Sequence, residues 1–101
     1  MIARTWHGAV RAEDAARYHA YLFETGVPGC LGTPGNLGVR VLRRIEGREA
    51  HFLFISFWES EDAIRAFAGN DIQRAHYYAE DRKYLLELEP HVTHYEVLEA
   101  P

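Results

Sequence analysis

The sequence predicts an α+β fold, a four-stranded antiparallel sheet with helices on one face, in the ferredoxin-like order β-α-β-β-α-β. Segments with the two-residue alternation of strands and segments with helical spacing follow one another in that order. The third predicted strand, residues 51–58, is apolar on both of its faces. At 101 residues the chain has the size of one domain, which we assign to residues 1–101.

A strand, a helix and a loop are predicted in the first third of the chain. Residues 2–10 alternate between two sets of side chains, as the residues of a strand do. Residues 13–24 place Tyr18 and Leu22 at helical spacing. Residues 26–36 contain four of the eight glycines and two of the four prolines, so we expect a loop there.

Two strands joined by a tight turn follow the loop. Residues 37–44 and 51–58 are the predicted strands, and residues 46–48 are the turn. Helices cover only one face of this sheet, yet the second of these strands is apolar on both faces. The simplest cover for the other face is a second copy of the chain. We therefore predict a homodimer whose sheets pack face to face.

The last part of the chain is predicted to contain helices and a closing strand. Ser60 is suited to cap a helix that ends near Gly69. A further, broken helix is expected from residue 71 towards residue 86, and it would carry the run His76-Tyr77-Tyr78. Residues 91–98 are the fourth predicted strand.

Composition excludes several classes of function. The net charge is −4 and no basic run exceeds the pair Arg43-Arg44, which argues against nucleic-acid binding. No apolar run approaches the roughly 20 residues that a membrane span needs. The single cysteine, Cys30, allows no intrachain disulfide and favours a cytoplasmic setting. The histidines and acidic residues show no spacing typical of metal ligands, so we expect no metal site.

Histidines and tyrosines are the candidates for chemistry. His7 follows Trp6 on a strand, so the two point to opposite faces, and a histidine facing an apolar pocket is a suitable general base. His76 is a candidate acid, base or haem ligand, and a hydroxyl of Tyr77 or Tyr78 is a candidate partner for a substrate oxygen. The alternatives are structural, namely a histidine bonded in the dimer core or exposed, and a tyrosine packed in the core.

A second set of residues is predicted to bind the substrate. Arg40 could hold a carboxylate or phenolate, unless it is only an exposed strand cation. Trp58 lies where a strand meets a helix, a position at which a large aromatic side chain more often packs than reacts. The complete predicted set is Trp6, Asn36, Arg40, Trp58, Phe67 and Tyr78.

Four segments resemble one protein family. They are FWESEDAIRAF at residues 57–67, residues 69–71, residues 75–78 and HVTHYEV at residues 91–97. The chain resembles the antibiotic biosynthesis monooxygenase superfamily of dimeric α/β-barrel proteins. That resemblance implies a homodimer with a ligand pocket between the sheet and the helices. The superfamily includes cofactor-independent oxygenases of phenolic polyketides and quinols, haem-degrading enzymes, and many members with no known reaction.

The haem-degrading branch of that superfamily is similar to this chain through WESED at residues 58–62. Its functional asparagine is replaced by His7, and its haem-distorting tryptophan is replaced by Phe67. Its axial histidine matches His76 only if one residue is deleted, and otherwise Tyr77 falls there. We therefore predict a cofactor-independent monooxygenase-like enzyme acting on a small aromatic or quinol molecule, with His7, His76 and Tyr77 as catalytic residues. A haem- or ligand-binding dimer that uses His76 and a non-catalytic structural dimer are the alternatives.

Overall fold

The computed structural model describes residues 1–99, so the last two residues of the predicted domain lie outside the described part. The strands are β1 (Ile2–Arg11), β2 (Asn36–Glu46), β3 (Glu49–Trp58) and β4 (Thr93–Glu96). The helices are α1 (Ala15–Glu24), α2 (Gly26–Leu31), α3 (Glu61–Ala68) and α4 (Asp81–Tyr84). The strands form one antiparallel sheet in the order β2-β3-β1-β4. This confirms the predicted ferredoxin-like fold.

The two faces of the sheet differ in what covers them. On the helix side the core contains Phe52 and Trp58 of β3, which are 1% and 0% exposed. Because side chains alternate along a strand, β1 sends Trp6 to this side and His7 to the other. That other side, the open face, consists of Ala3, Thr5, His7, Ala9, Arg40, Leu42, Arg44, His51, Leu53, Ile55, Phe57, Thr93 and Tyr95. Leu42 and Leu53 remain 49% and 37% exposed there, in agreement with the predicted apolar second face.

The glycine-rich segment was predicted as a loop, and this was wrong in part because residues Gly26–Leu31 form α2. Its glycines permit close packing. A Cβ at Gly29 would lie 2.3 Å from the Tyr78 hydroxyl, and a Cβ at Gly26 would lie 3.2 Å from the Phe54 ring. Glycine in this segment therefore reflects a tertiary contact.

The broken helix predicted from residue 71 is also largely absent, since only α4 forms. The backbone N–H of Ala75 donates to the carbonyl of Pro90, and that of Val92 donates to the carbonyl of Gln73, both at 2.8 Å. These bonds pair the segment with the approach to β4, so the run His76-Tyr77-Tyr78 lies on irregular chain. The fourth strand is likewise shorter than predicted.

The start and end of α3 follow the predicted local rules. The Ser60 hydroxyl oxygen accepts a hydrogen bond from the backbone N–H of Ala63 at 3.2 Å. Gly69 ends the helix with a φ of 91°, which glycine adopts without strain. Across residues 1–99, none of the helices has the length and apolar character that crossing a bilayer requires.

Candidate functional site

A cavity of about 40 Å³ lies between the sheet and the helices. Its wall includes the rings of Trp6, Tyr18, Phe54, Phe67 and Tyr78. The volume has room for a few water molecules, whereas pockets for drug-sized ligands measure about 300–1,000 Å³. A larger ligand therefore requires part of the wall to move.

Arg4 is the charged side chain of β1 on the cavity wall, and sequence reasoning missed it. The residue is only 6% exposed. Its Nη2 donates to the carbonyl oxygen of Arg74 at 2.9 Å, and its guanidinium carbon lies 5.8 Å from the centre of the Phe67 ring. Its Nε is buried and has no hydrogen-bond partner within residues 1–99. Burial holds the pKa of Arg4 below its ordinary value, but a guanidinium remains charged in a protein.

His76 lies at the edge of the same cavity. Its ring centre is 5.0 Å from that of Phe67 and 4.9 Å from that of Tyr78. Desolvation, followed by the charge of Arg4, lowers the pKa of His76 below its ordinary value. The imidazole is therefore neutral at neutral pH and can accept a proton or bind a metal.

Tyr77 fixes the segment that carries His76. Its hydroxyl donates to the carbonyl oxygen of Glu89 at 2.5 Å and accepts from Trp6 Nε1 at 3.1 Å. Both bonds hold it between β1 and the chain that leads to β4. The geometry favours a positioning role for Tyr77 over the predicted catalytic one.

Asp81 anchors the other end of this segment, and its only signal in the sequence was an acidic residue at a helix start. Its buried carboxylate accepts from the Tyr18 hydroxyl at 2.8 Å and from the backbone N–H of Tyr78 at 2.6 Å. The position of Tyr78 in the cavity wall therefore depends on α1 through Tyr18.

The Tyr18 contact predicts that the protein is unstable in alkali. Burial, and then the Asp81 charge, raise the pKa of Tyr18 far above its ordinary value of 10.0. The unfolded chain releases this proton near pH 10, whereas the folded protein retains it. The stabilisation is thus complete below pH 10 and falls by about 1.4 kcal/mol per unit above it. Urea unfolding between pH 8 and about pH 11.5 measures this slope, which Tyr18→Phe should reduce. An equal slope in the variant would contradict the assignment.

The structure separates His7 from the cavity and corrects the expectation that His7 and His76 act across one pocket. His7 lies on the open face because it alternates with Trp6. Its Nδ1 is 2.5 Å from Glu89 Oε2, and its Nε2 is 2.9 Å from His51 Nδ1. The His7 and His51 rings are stacked with centres 5.2 Å apart. These contacts match the structural alternative considered for His7.

Three predicted binding residues also lie outside the cavity wall. Arg40 is exposed on the open face, where its Nη1 donates to the Val39 carbonyl at 3.0 Å. Asn36 begins β2 and its Oδ1 accepts from the backbone N–H of Gly38 at 2.9 Å. Trp58 is fully buried and its Nε1 donates to the Ser56 hydroxyl at 2.8 Å. The predicted residues that meet at the cavity are Trp6, Phe67, His76, Tyr77 and Tyr78.

The side chains at the cavity could hold a haem, but the volume of the cavity is too small for one. A neutral histidine beside a buried arginine is a combination that could bind iron and a propionate. The cavity of about 40 Å³ is far smaller than a haem, so this conformation does not fit the group. Within residues 1–99, no three His, Cys, Asp or Glu side chains converge as metal ligands.

A ferredoxin-like sheet with an aromatic cavity under its helices places the chain among small α+β domains whose pockets lie between the two layers. The chain belongs to the antibiotic biosynthesis monooxygenase family, whose model matches residues 1–79. No curated protein sequence is significantly similar to the chain.

Solved structures share the fold over the whole chain. MhuD from Mycobacterium tuberculosis, a haem degrader with two haems in its active site, has 20% identity and a TM-score of 0.63 over 100% of this chain and 99% of its own. A MhuD variant with two manganese protoporphyrin IX per active site has 19% identity and a TM-score of 0.61, over 100% and 98%. A candidate antibiotic biosynthesis monooxygenase from Bacillus cereus has 17% identity and a TM-score of 0.68, over 100% and 96%. At these identities the likeness shows the fold alone.

Proposed function

We propose that this protein is a cofactor-independent monooxygenase of small aromatic or quinol-like molecules, which react in the cavity between the sheet and the helices. The observation that carries the proposal is the neutral imidazole of His76 at the edge of an aromatic cavity that contains a buried arginine. The family match supports the class of reaction.

The chemistry begins with proton transfer to His76. Its neutral imidazole takes a proton from an acidic C–H or phenol of the substrate, and the guanidinium of Arg4 stabilises the resulting anion. The electron-rich anion then reduces dioxygen directly. For an anthrone-type methylene, R₂CH₂ and O₂ give R₂C=O and H₂O, so one oxygen atom enters the substrate and the other leaves in water with both hydrogens. The rings of Trp6, Phe54 and Phe67 provide apolar surface for the substrate.

The wall that must open for such a substrate is the segment of residues 69–80. This segment begins at Gly69 and carries His76 and Tyr78. Its fixed points are the Tyr77 hydroxyl bonds and the Asp81 carboxylate. We propose that the side chains of His76 and Tyr78 move aside to admit a substrate, while these bonds hold the backbone of the segment.

Oxygen uptake tests the proposal directly. A panel of quinols and anthrones is incubated with purified, metal-free protein in an oxygen electrode. We expect uptake above the autoxidation rate for at least one compound, with a ketone or quinone as product. Uptake no faster than autoxidation for every compound of the panel would contradict the proposal.

Haem binding is the second candidate function, because the same neutral His76 is a suitable axial ligand. The likeness to MhuD, which was solved with haem, supports testing it. Titration of haem into the protein would then give a Soret band that is lost in His76→Ala. The small volume of the cavity makes us expect weak binding, and the absence of a band would remove this candidate.

We propose further that the protein is a homodimer through the open face. Leu42, Leu53 and Tyr95 remain exposed there on an otherwise well-packed sheet, and an apolar patch of this kind is typical of an interface. Light scattering should give about twice the 11.6 kDa chain mass at micromolar concentration. Leu53→Glu should shift the mass to that of the monomer, whereas Leu31→Glu, on exposed α2, should not. A monomeric wild type would refute the dimer.

A further inference from the structure

We infer that the cavity binds its ligand as an anion and that Arg4 selects for this charge through its guanidinium. The ligand class is an aromatic compound with an ionised carboxylate or phenolate. This rests on the cavity being the site of the proposed function, but it does not depend on the reaction.

The charge of Arg4 has no counter-charge in the described part of the chain. No carboxylate of residues 1–99 forms an ion pair with it. The nearby carboxylate on the cavity wall, Asp81, is already bonded to Tyr18 and to the backbone of Tyr78. Among residues 1–99, the partners of the Arg4 guanidinium are the carbonyl oxygen of Arg74 and the Phe67 ring.

Three other ionisable groups near the guanidinium, those of Cys30, Tyr78 and His94, are neutral at neutral pH. Burial raises the pKa of the Cys30 thiol to about 11, and it also raises the pKa of the Tyr78 hydroxyl. The pKa of His94, which is opposite Arg4 in the register of β1 and β4, is lowered by burial and then by Arg4 itself. The His94 Nε2 is also buried without a partner in residues 1–99. The guanidinium therefore has an unbonded N–H of its own and faces a neutral histidine on the neighbouring strand.

An isolated buried charge is strongly unfavourable, and in most proteins it is paired. An anionic ligand removes that penalty, and a guanidinium forms strong, directed hydrogen bonds with carboxylate and phenolate oxygens. The unpaired guanidinium is therefore unfavourable in the empty protein and becomes favourable when an anion is bound.

The dimensions of the cavity agree with this assignment. At about 40 Å³ it admits a head group of a few atoms beside Arg4, on the scale of the waters it could otherwise hold. The attached ring would replace part of the wall formed by Phe67, His76 and Tyr78. The head group would thus bind inside the cavity beside Arg4, and the ring would bind at the edge of the cavity.

Benzoate and benzamide test the inference, because they have the same shape and differ in charge. Calorimetry should show that the wild type binds benzoate at least about tenfold more tightly than benzamide, as expected for a charge-assisted bond. Arg4→Met should lose this preference and Arg4→Lys should retain part of it. Arg17→Met, which removes an exposed arginine of α1, should bind both compounds as the wild type does.

A second measurement uses the wild-type protein, and a variant is needed only to assign the Arg4 resonance. In a ¹H–¹⁵N spectrum of the wild type, the Arg4 Nε–H resonance should shift on addition of benzoate and stay in place with benzamide. Equal affinities, a preference that survives Arg4→Met, or an unshifted resonance at millimolar benzoate would each overturn the inference. If the wild type prefers benzoate but shows no oxygen uptake, the inference stands and the proposed reaction fails. If neutral compounds are oxidised while benzoate and benzamide bind equally well, the proposed reaction stands and the inference fails.

Discussion

Replacing Trp58 by alanine is expected to lower the free energy of unfolding by about 3–5 kcal/mol. The side chain is fully buried at the end of β3, with its ring centre 5.8 Å from that of Phe67. The substitution leaves a large cavity and removes the donor to the Ser56 hydroxyl. Urea denaturation monitored by circular dichroism measures the difference.

Trp58→Phe is the matched variant. It keeps most of the buried apolar area and removes the hydrogen bond to Ser56, so a loss of about 1–2 kcal/mol is expected. Folded Trp58→Phe should retain the ligand affinity of the wild type, because Trp58 lies behind the cavity wall. A loss of affinity with little loss of stability would instead support the substrate contact predicted from the sequence.

Replacing His76 by alanine is expected to lower kcat for oxygen uptake by about 10²- to 10⁴-fold, the usual contribution of a general base. Because burial and Arg4 lower its pKa, the imidazole stays neutral below pH 6.5. The wild-type rate should therefore fall only on the acid side of pH 6.5. Arg4→Met should move this acid limb to higher pH, because it removes a charge that lowers the pKa.

His7→Ala separates the structural assignment from the one based on sequence. His7 is on the open face, so its removal should change kcat far less than that of His76. His19→Ala, at an exposed position of α1, is the neutral control. A larger loss in His7→Ala than in His76→Ala would restore His7 as the base and would place the reaction at the open face.

Local rules account for much of the fold. The alternation in β1 and β3, the cap at Ser60 and the turn at Gly69 each depend on neighbours in sequence, and all were predictable. The helix α2 was not, because its glycines are required by the distant Phe54 and Tyr78. Residues 71–80 were assigned to a helix for a similar reason, since Ala75 bonds to Pro90 and Gln73 bonds to Val92, partners that spacing does not reveal.

The site was predictable only in its aromatic part. Phe67, His76 and Tyr78 do meet at the cavity, whereas Arg40 and His7 lie on the other face of the sheet. A signal for Arg4 was present, because alternation places it on the same face as Trp6. That signal gained meaning only once the helices showed which face is buried.

The sequence by itself determined the order of elements, the two apolar faces of the sheet and the aromatic character of the pocket, since these follow from periodicity and composition. Tertiary packing was needed to show which histidine meets the cavity and that Arg4 is buried there with no carboxylate of residues 1–99 paired to it. Alternation assigns side chains to two faces but does not say which face the helices cover. That choice, made by packing between residues far apart in the chain, sets the charge and the chemistry of the site.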